Sequence, residues 1–97
     1  MRTIEEIKNI IKIQKSKLFE QYKIKEIGIF GSYVRGEQRN KSDIDILIDF
    51  EEYPSLLKFI DIEDELSRQI GIKVDLVMKN TLKPVIGRHI LKEVIYL

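Results

Sequence analysis

Cysteine is absent from the 97-residue sequence, which excludes disulfides, thiolate metal sites and a cysteine nucleophile together. Histidine occurs once, as His89, so a zinc site would draw nearly all its ligands from carboxylates. No apolar run is long enough for a membrane span and nothing resembles a signal peptide, so no membrane partner and a cytoplasmic location are expected. Net charge is lacking too. Seventeen Lys and Arg against sixteen Asp and Glu leave +1, no field that would gather nucleic acid, so no direct nucleic-acid partner is expected and any charged ligand must be held locally.

What remains is a chain 43% apolar and 34% charged, of a length that suits one domain over residues 1–97. Thr3 and Glu6 have capping-box spacing, and Ile4, Ile7, Ile11, Leu18 and Tyr22 recur with helical period, which predicts a helix over 3–22. Strands are predicted over 25–30, 43–50 and 72–77, and a short helix over 32–38. Pro54 and Ser55 open another helix that Gly71 stops. Pro84 suits the first turn of a last helix, expected to run to the end of the chain. The order α-β-α-β-α-β-α predicts an α/β (α+β) fold, a small mixed sheet packed with helices.

The chemistry concentrates in GSYVRGEQRNKSDIDILIDF, residues 31–50. Alternation along a strand turns Asp43 and Asp45 to one face and Ile44, Ile46 and Ile48 to the other. Two carboxylates that close repel unless a cation lies between them, and hard oxygen ligands suit magnesium, which takes its remaining ligands from water and phosphate. Asp75, the lone acid in IKVDLV, would join them if the strands are neighbours, giving a site for two magnesium ions. Gly31, between a strand and a short helix, lets backbone approach phosphate, with the Ser32 hydroxyl and the following amides alongside. Gly31 to Gly36 satisfies the first half of a Walker A pattern, but Glu37 and Gln38 stand where Lys and Ser or Thr are needed, so a P-loop is rejected.

Gly31-Ser32, ten residues, then Asp43-Ile44-Asp45 resembles the signature of the polymerase β-type nucleotidyltransferase superfamily. With Arg35-Gly36 between and Ser42 just ahead of the pair, the chain is similar over nearly its whole length to the minimal nucleotidyltransferases, the MNT-domain or MntA-type antitoxins. The resemblance implies a nucleotidyltransferase-type fold and AMP transfer from ATP to a protein hydroxyl, a tyrosine of a HEPN-type toxin partner. It implies that Gly31, Ser32 and Arg35 bind the nucleotide, and that Asp43, Asp45 and Asp75 hold magnesium and carry catalysis. Larger relatives add a domain for their acceptor; no such segment is visible here, which points to a partner protein.

Blander readings stand beside these. Gly31-Ser32 alone would be a tight turn, Asp75 an edge-strand acid facing solvent, and Arg35 a partner for nearby acids. Arg39 and Lys41 read as solvated loop charges, Asp49 as a surface residue and His89 as structural or surface. Residues 60–65, IDIEDE, read as an acidic helix face. Val85, Ile86, Ile90, Leu91, Val94, Ile95 and Leu97 form a wide apolar surface, part core and part interface. A non-catalytic antitoxin that neutralises its partner by binding is the alternative to the enzyme.

Overall fold

In the computed structural model, which describes residues 2–97, Thr3 opens the first helix through a capping box. Its side chain accepts the Glu6 N–H at 3.2 Å, and Glu6 Oε1 accepts the Thr3 N–H at 3.2 Å. Helix α1 (Ile4–Tyr22) ends at Lys23 in the left-handed conformation, and strand β1 (Ile24–Phe30) follows at once. Gly31 leads into a single helical turn, α2 (Ser32–Arg35), and then the 36–43 connection. Strand β2 (Ile44–Phe50) returns antiparallel to β1. Helix α3 (Leu56–Ile70) is capped by the Ser55 side chain and stopped by left-handed Gly71, as the sequence indicates.

Strand β3 (Val74–Met78) runs parallel to β2 and leads through a 3₁₀ turn at Lys79–Thr81 to helix α4 (Pro84–Glu93). The last helix does not reach the end of the chain. It stops at Glu93, and Ile95–Tyr96 form a fourth strand, β4, antiparallel to β1. Two local facts favour this. Val94 and Ile95 are β-branched, and Gly28 of β1 leaves room, since a β-carbon there would lie 2.6 Å from Val94 Cγ2 and 2.9 Å from the Ile95 carbonyl oxygen.

The sheet order is β3-β2-β1-β4. Helices α1 and α3 cover one face, where Ile7, Ile11, Ile62, Leu66 and Ile70 meet the inward row of Ile27, Ile29, Ile44, Ile46 and Ile48. Full burial of each such side chain is worth roughly 1.5–3 kcal/mol, so this layer holds the fold together. The open edge of β3 is closed by side chains of α3: Ser67 Oγ accepts the Val74 N–H at 3.0 Å and Glu63 Oε2 the Leu76 N–H at 2.9 Å. The acids of the 60–65 segment are accordingly a structural and solvated set. No helix among the described residues is long and apolar enough to cross a membrane.

Candidate active site

The second face of the sheet carries the polar residues. Register pairs Phe30 with Asp45 across β1 and β2, and Asp45 with Asp75 across β2 and β3, so the three lie in one row on that face. Asp43 lies just ahead of β2, where a turn positions it: Ser42 Oγ accepts the Arg39 N–H at 2.8 Å and the Ser42 N–H donates to the Arg39 carbonyl at 3.0 Å. Tyr33, buried, anchors the turn from α2, its hydroxyl reaching the Ser42 carbonyl at 3.5 Å. Asp43 Oδ2 and Lys73 Nζ are 3.9 Å apart on an exposed surface, a pairing of little energetic weight.

Asp45 is partly buried and has three acids in its field, Asp75, Asp43 and, with the smallest effect, Glu93. Burial, then Asp75, then Asp43 push its carboxyl up to about 6, against the opposing pull of Arg35. Asp75 is exposed on the edge strand, so the solvent-facing reading and its place beside Asp45 both hold. Asp49 is four residues along β2 from Asp45, roughly 13 Å away. It accepts the Tyr53 hydroxyl at 3.2 Å and takes no part in this row.

Gly31 closes the site from the side. Its φ of 81° and ψ of −154° belong to a region that is essentially glycine's alone, and a β-carbon would lie 2.1 Å from Asp45 Oδ2. Gly31→Ala is therefore expected to lose about 1–3 kcal/mol of stability, enough to lower the melting temperature by several degrees in a domain this small. An unchanged melting curve would mean that the loop relaxes without cost.

A cleft of about 560 Å3 opens at Gly31 and Asp45, with Phe30 and Arg35 in the same wall. Its other wall is α4, through Ile86, His89, Ile90 and Glu93. Arg35 is engaged with acids: Nε donates to Glu37 Oε1 at 2.8 Å, and Nη1 to Glu93 Oε1 and Oε2 at 2.9 and 3.0 Å. Nη2 takes part in none of these bonds. His89 is exposed, as expected, but its place on the cleft wall was not legible in the sequence. Neither was Glu93, whose Oε2 accepts the Gly31 N–H at 2.7 Å.

Among the described residues no three Asp, Glu or His side chains gather tightly enough to hold a metal ion by themselves. The donor set still fits magnesium. Burial and the neighbouring carboxylates raise the Asp45 carboxyl to about 6, a cost that a cation would relieve, and magnesium completes its shell from water and phosphate rather than from an all-protein cage.

Comparison with known proteins agrees with this geometry. The family described as polymerase beta nucleotidyltransferase matches residues 5–97. The protein adenylyltransferase MntA of Thermococcus cleftensis is 54% identical over 96 residues, covering 99% of this chain and 97% of its own. A solved structure described as a minimal nucleotidyltransferase superposes with a TM-score of 0.76 at 30% identity, over 94% of this chain and 95% of its own. A chain from a solved MntA toxin–antitoxin structure superposes with a TM-score of 0.72 at 25% identity, over 89% of this chain and 70% of its own. With the Gly-Ser turn set against an aspartate row on a mixed four-stranded sheet, the chain belongs to the polymerase β nucleotidyltransferase family as one of its minimal members.

Proposed function

We propose that this nucleotidyltransferase moves AMP from ATP to a hydroxyl of a partner protein, a tyrosine of a HEPN-type toxin, and so acts in the cytoplasm as an antitoxin. The observation that carries the reading is Gly31 packed against Asp45 in the Asp75–Asp45 row, beside a cleft. It is supported by the protein-adenylyltransferase relative and by the toxin–antitoxin neighbour.

Asp43 and Asp45 would hold magnesium, two ions in all, with Asp75 serving the acceptor side. When bound, the metal supplies charge neutralisation for the triphosphate and a lowered pKa for the acceptor hydroxyl. Ser32 and the amides after Gly31 would take the β- and γ-phosphates, and Arg35 Nη2 faces no competing bond from the acids that hold its other nitrogens. The acceptor oxygen bonds to the α-phosphorus, the bond from that phosphorus to the bridging oxygen breaks, the hydroxyl proton passes to solvent water beside the exposed Asp75, and pyrophosphate leaves.

The acceptor surface is assigned to the partner, which would dock on α4. Val85, Ile86 and Leu91 are 61%, 58% and 45% exposed there, and Ile86 and the half-buried Ile90 line the cleft, whereas Val94, Ile95 and Leu97 are half-buried against this chain's own sheet and core. The exposed apolar side chains of α4 also fit a second reading, neutralisation by occupancy alone. Incubation with labelled ATP, magnesium and the neighbouring gene product tests both. Label on a partner tyrosine is expected, and Val85→Asp with Leu91→Asp should abolish the complex while the fold persists. A stable complex with no label transferred would leave occupancy as the mechanism.

A further inference from the structure

The β1–β4 ladder stops one step short of the site. Its register pairs Gly28 with Tyr96 and Ile29 with Ile95, and the Leu97 N–H donates to the Ile27 carbonyl at 2.9 Å. Ile27, Ile29 and Gly31 thus turn their backbone groups towards the same neighbour. Continuing the register by two residues sets Gly31 opposite Glu93. Glu93, however, is the last residue of α4, and its backbone is not a strand. Its side chain fills the gap, with Oε2 accepting the Gly31 N–H at 2.7 Å where a strand carbonyl would otherwise stand. The same carboxylate receives Arg35 Nη1 through both oxygens.

We infer that Glu93 is a positioning residue for the nucleotide end of the site, a strut that fixes the Gly31 peptide and the Arg35 guanidinium relative to Asp45. The inference rests on the transferase reading above and adds to it a residue that reaches the site from α4. The strut is fixed at both ends of its own backbone. The Val94 N–H bonds to the Ile90 carbonyl at 2.9 Å and Ile95 is paired in the sheet, which fixes the Glu93 backbone, while its carboxylate is held by the Gly31 N–H and Arg35 Nη1. That distinguishes it from an internal anion that a triphosphate displaces. A displaceable plug leaves as its ligand arrives; a carboxylate that accepts from both a backbone N–H and a guanidinium stays and orders those donors. Charge-assisted bonds to a backbone N–H and a guanidinium are among the stronger and more directional ones available for this.

The test uses Glu93→Ala, which removes both bonds, and Glu93→Gln, which keeps a carbonyl acceptor for Gly31 but not the ion pair with Arg35. Affinity for a non-hydrolysable ATP analogue with magnesium is measured by titration calorimetry, and exchange of the Gly31 amide by NMR. Glu93→Ala should bind the analogue at least tenfold more weakly and lose protection at Gly31. Glu93→Gln should keep most of that protection and fall between the two in affinity. Loss in transfer should lie mainly in the nucleotide KM, with kcat within a few-fold of the parent. A merely structural role would lower the melting temperature and leave that split unmoved. Parental or tighter binding by Glu93→Ala, or a Gly31 amide equally protected without the carboxylate, overturns the inference. A parent that binds no nucleotide sinks the transferase reading and the nucleotide role of Glu93 with it, while the Gly31 amide still reports whether the strut exists.

Discussion

Asp45→Asn is expected to abolish AMP transfer, by at least a thousandfold, and to make the magnesium-free protein more stable at pH 7 to 8. The second effect follows from the carboxyl's raised pKa. In the folded protein it titrates at about 6 against an ordinary value of 3.8, pushed up first by burial and then by Asp75 and Asp43. Between those two values the folded state keeps a proton that the unfolded chain has released. Stability therefore falls as pH rises through this window, and the full cost persists above it. Because the cleft is open and screens the charge, that cost is on the order of 1–2 kcal/mol.

Asn carries no charge and removes it. Urea titrations of parent and variant in chelator should agree near pH 3.5, diverge from about pH 4 upwards and differ by a constant amount above about pH 7. Adding magnesium and nucleotide should reverse the order, since ligand binding stabilises only the protein that binds it. A variant that is less stable than the parent at pH 7.5 in chelator would show that Asp45 has a compensating partner. Retained transfer would falsify the metal role of the pair.

Asp75→Asn is expected to leave nucleotide binding nearly intact and to lower the transfer rate by about a thousandfold. Asp75 stands opposite Asp45 in the register, on the edge strand and exposed, on the side of Asp45 away from β1 and Gly31. If it serves the acceptor hydroxyl, its contribution is made chiefly as that oxygen attacks. Affinity for magnesium–ATP should stay within tenfold of the parent, about 1.4 kcal/mol. Calorimetric titration of nucleotide and single-turnover transfer to the partner measure the two quantities separately. Loss of nucleotide binding would mean that Asp75 is shared with the triphosphate side. Transfer at the parental rate would mean that Asp43 and Asp45 suffice, because Asp49, the other acid on this face of β2, is held by the Tyr53 hydroxyl at the far end of the strand.

Local features were legible in the amino-acid order alone. The Thr3 capping box, the Ser55 cap, the Gly71 stop and the helical period of α1 and α3 each depend on residues within one or two turns, and each formed as read. The Asp43–Asp45 pair is legible from strand alternation, although Asp43 itself sits in the turn before β2, and Gly31 is legible as a point where backbone can approach phosphate, while its conformation and its contact with Asp45 come from the fold. The family signature is legible for the same reason, being a run of such local requirements in fixed order. The remaining features came from long-range contacts. The stretch from Val94 to the end looks like the apolar face of a continuing helix, and it became a strand because β1 offered an edge with a glycine in it. Asp75 met Asp45 through parallel register, which no segment sets alone. Arg35 went to Glu37 and Glu93, and the Gly31 N–H found its acceptor 62 positions away. A backbone donor must be satisfied wherever it is withdrawn from water, but which distant side chain satisfies it depends on where the chain crosses itself, and local pattern does not contain that crossing.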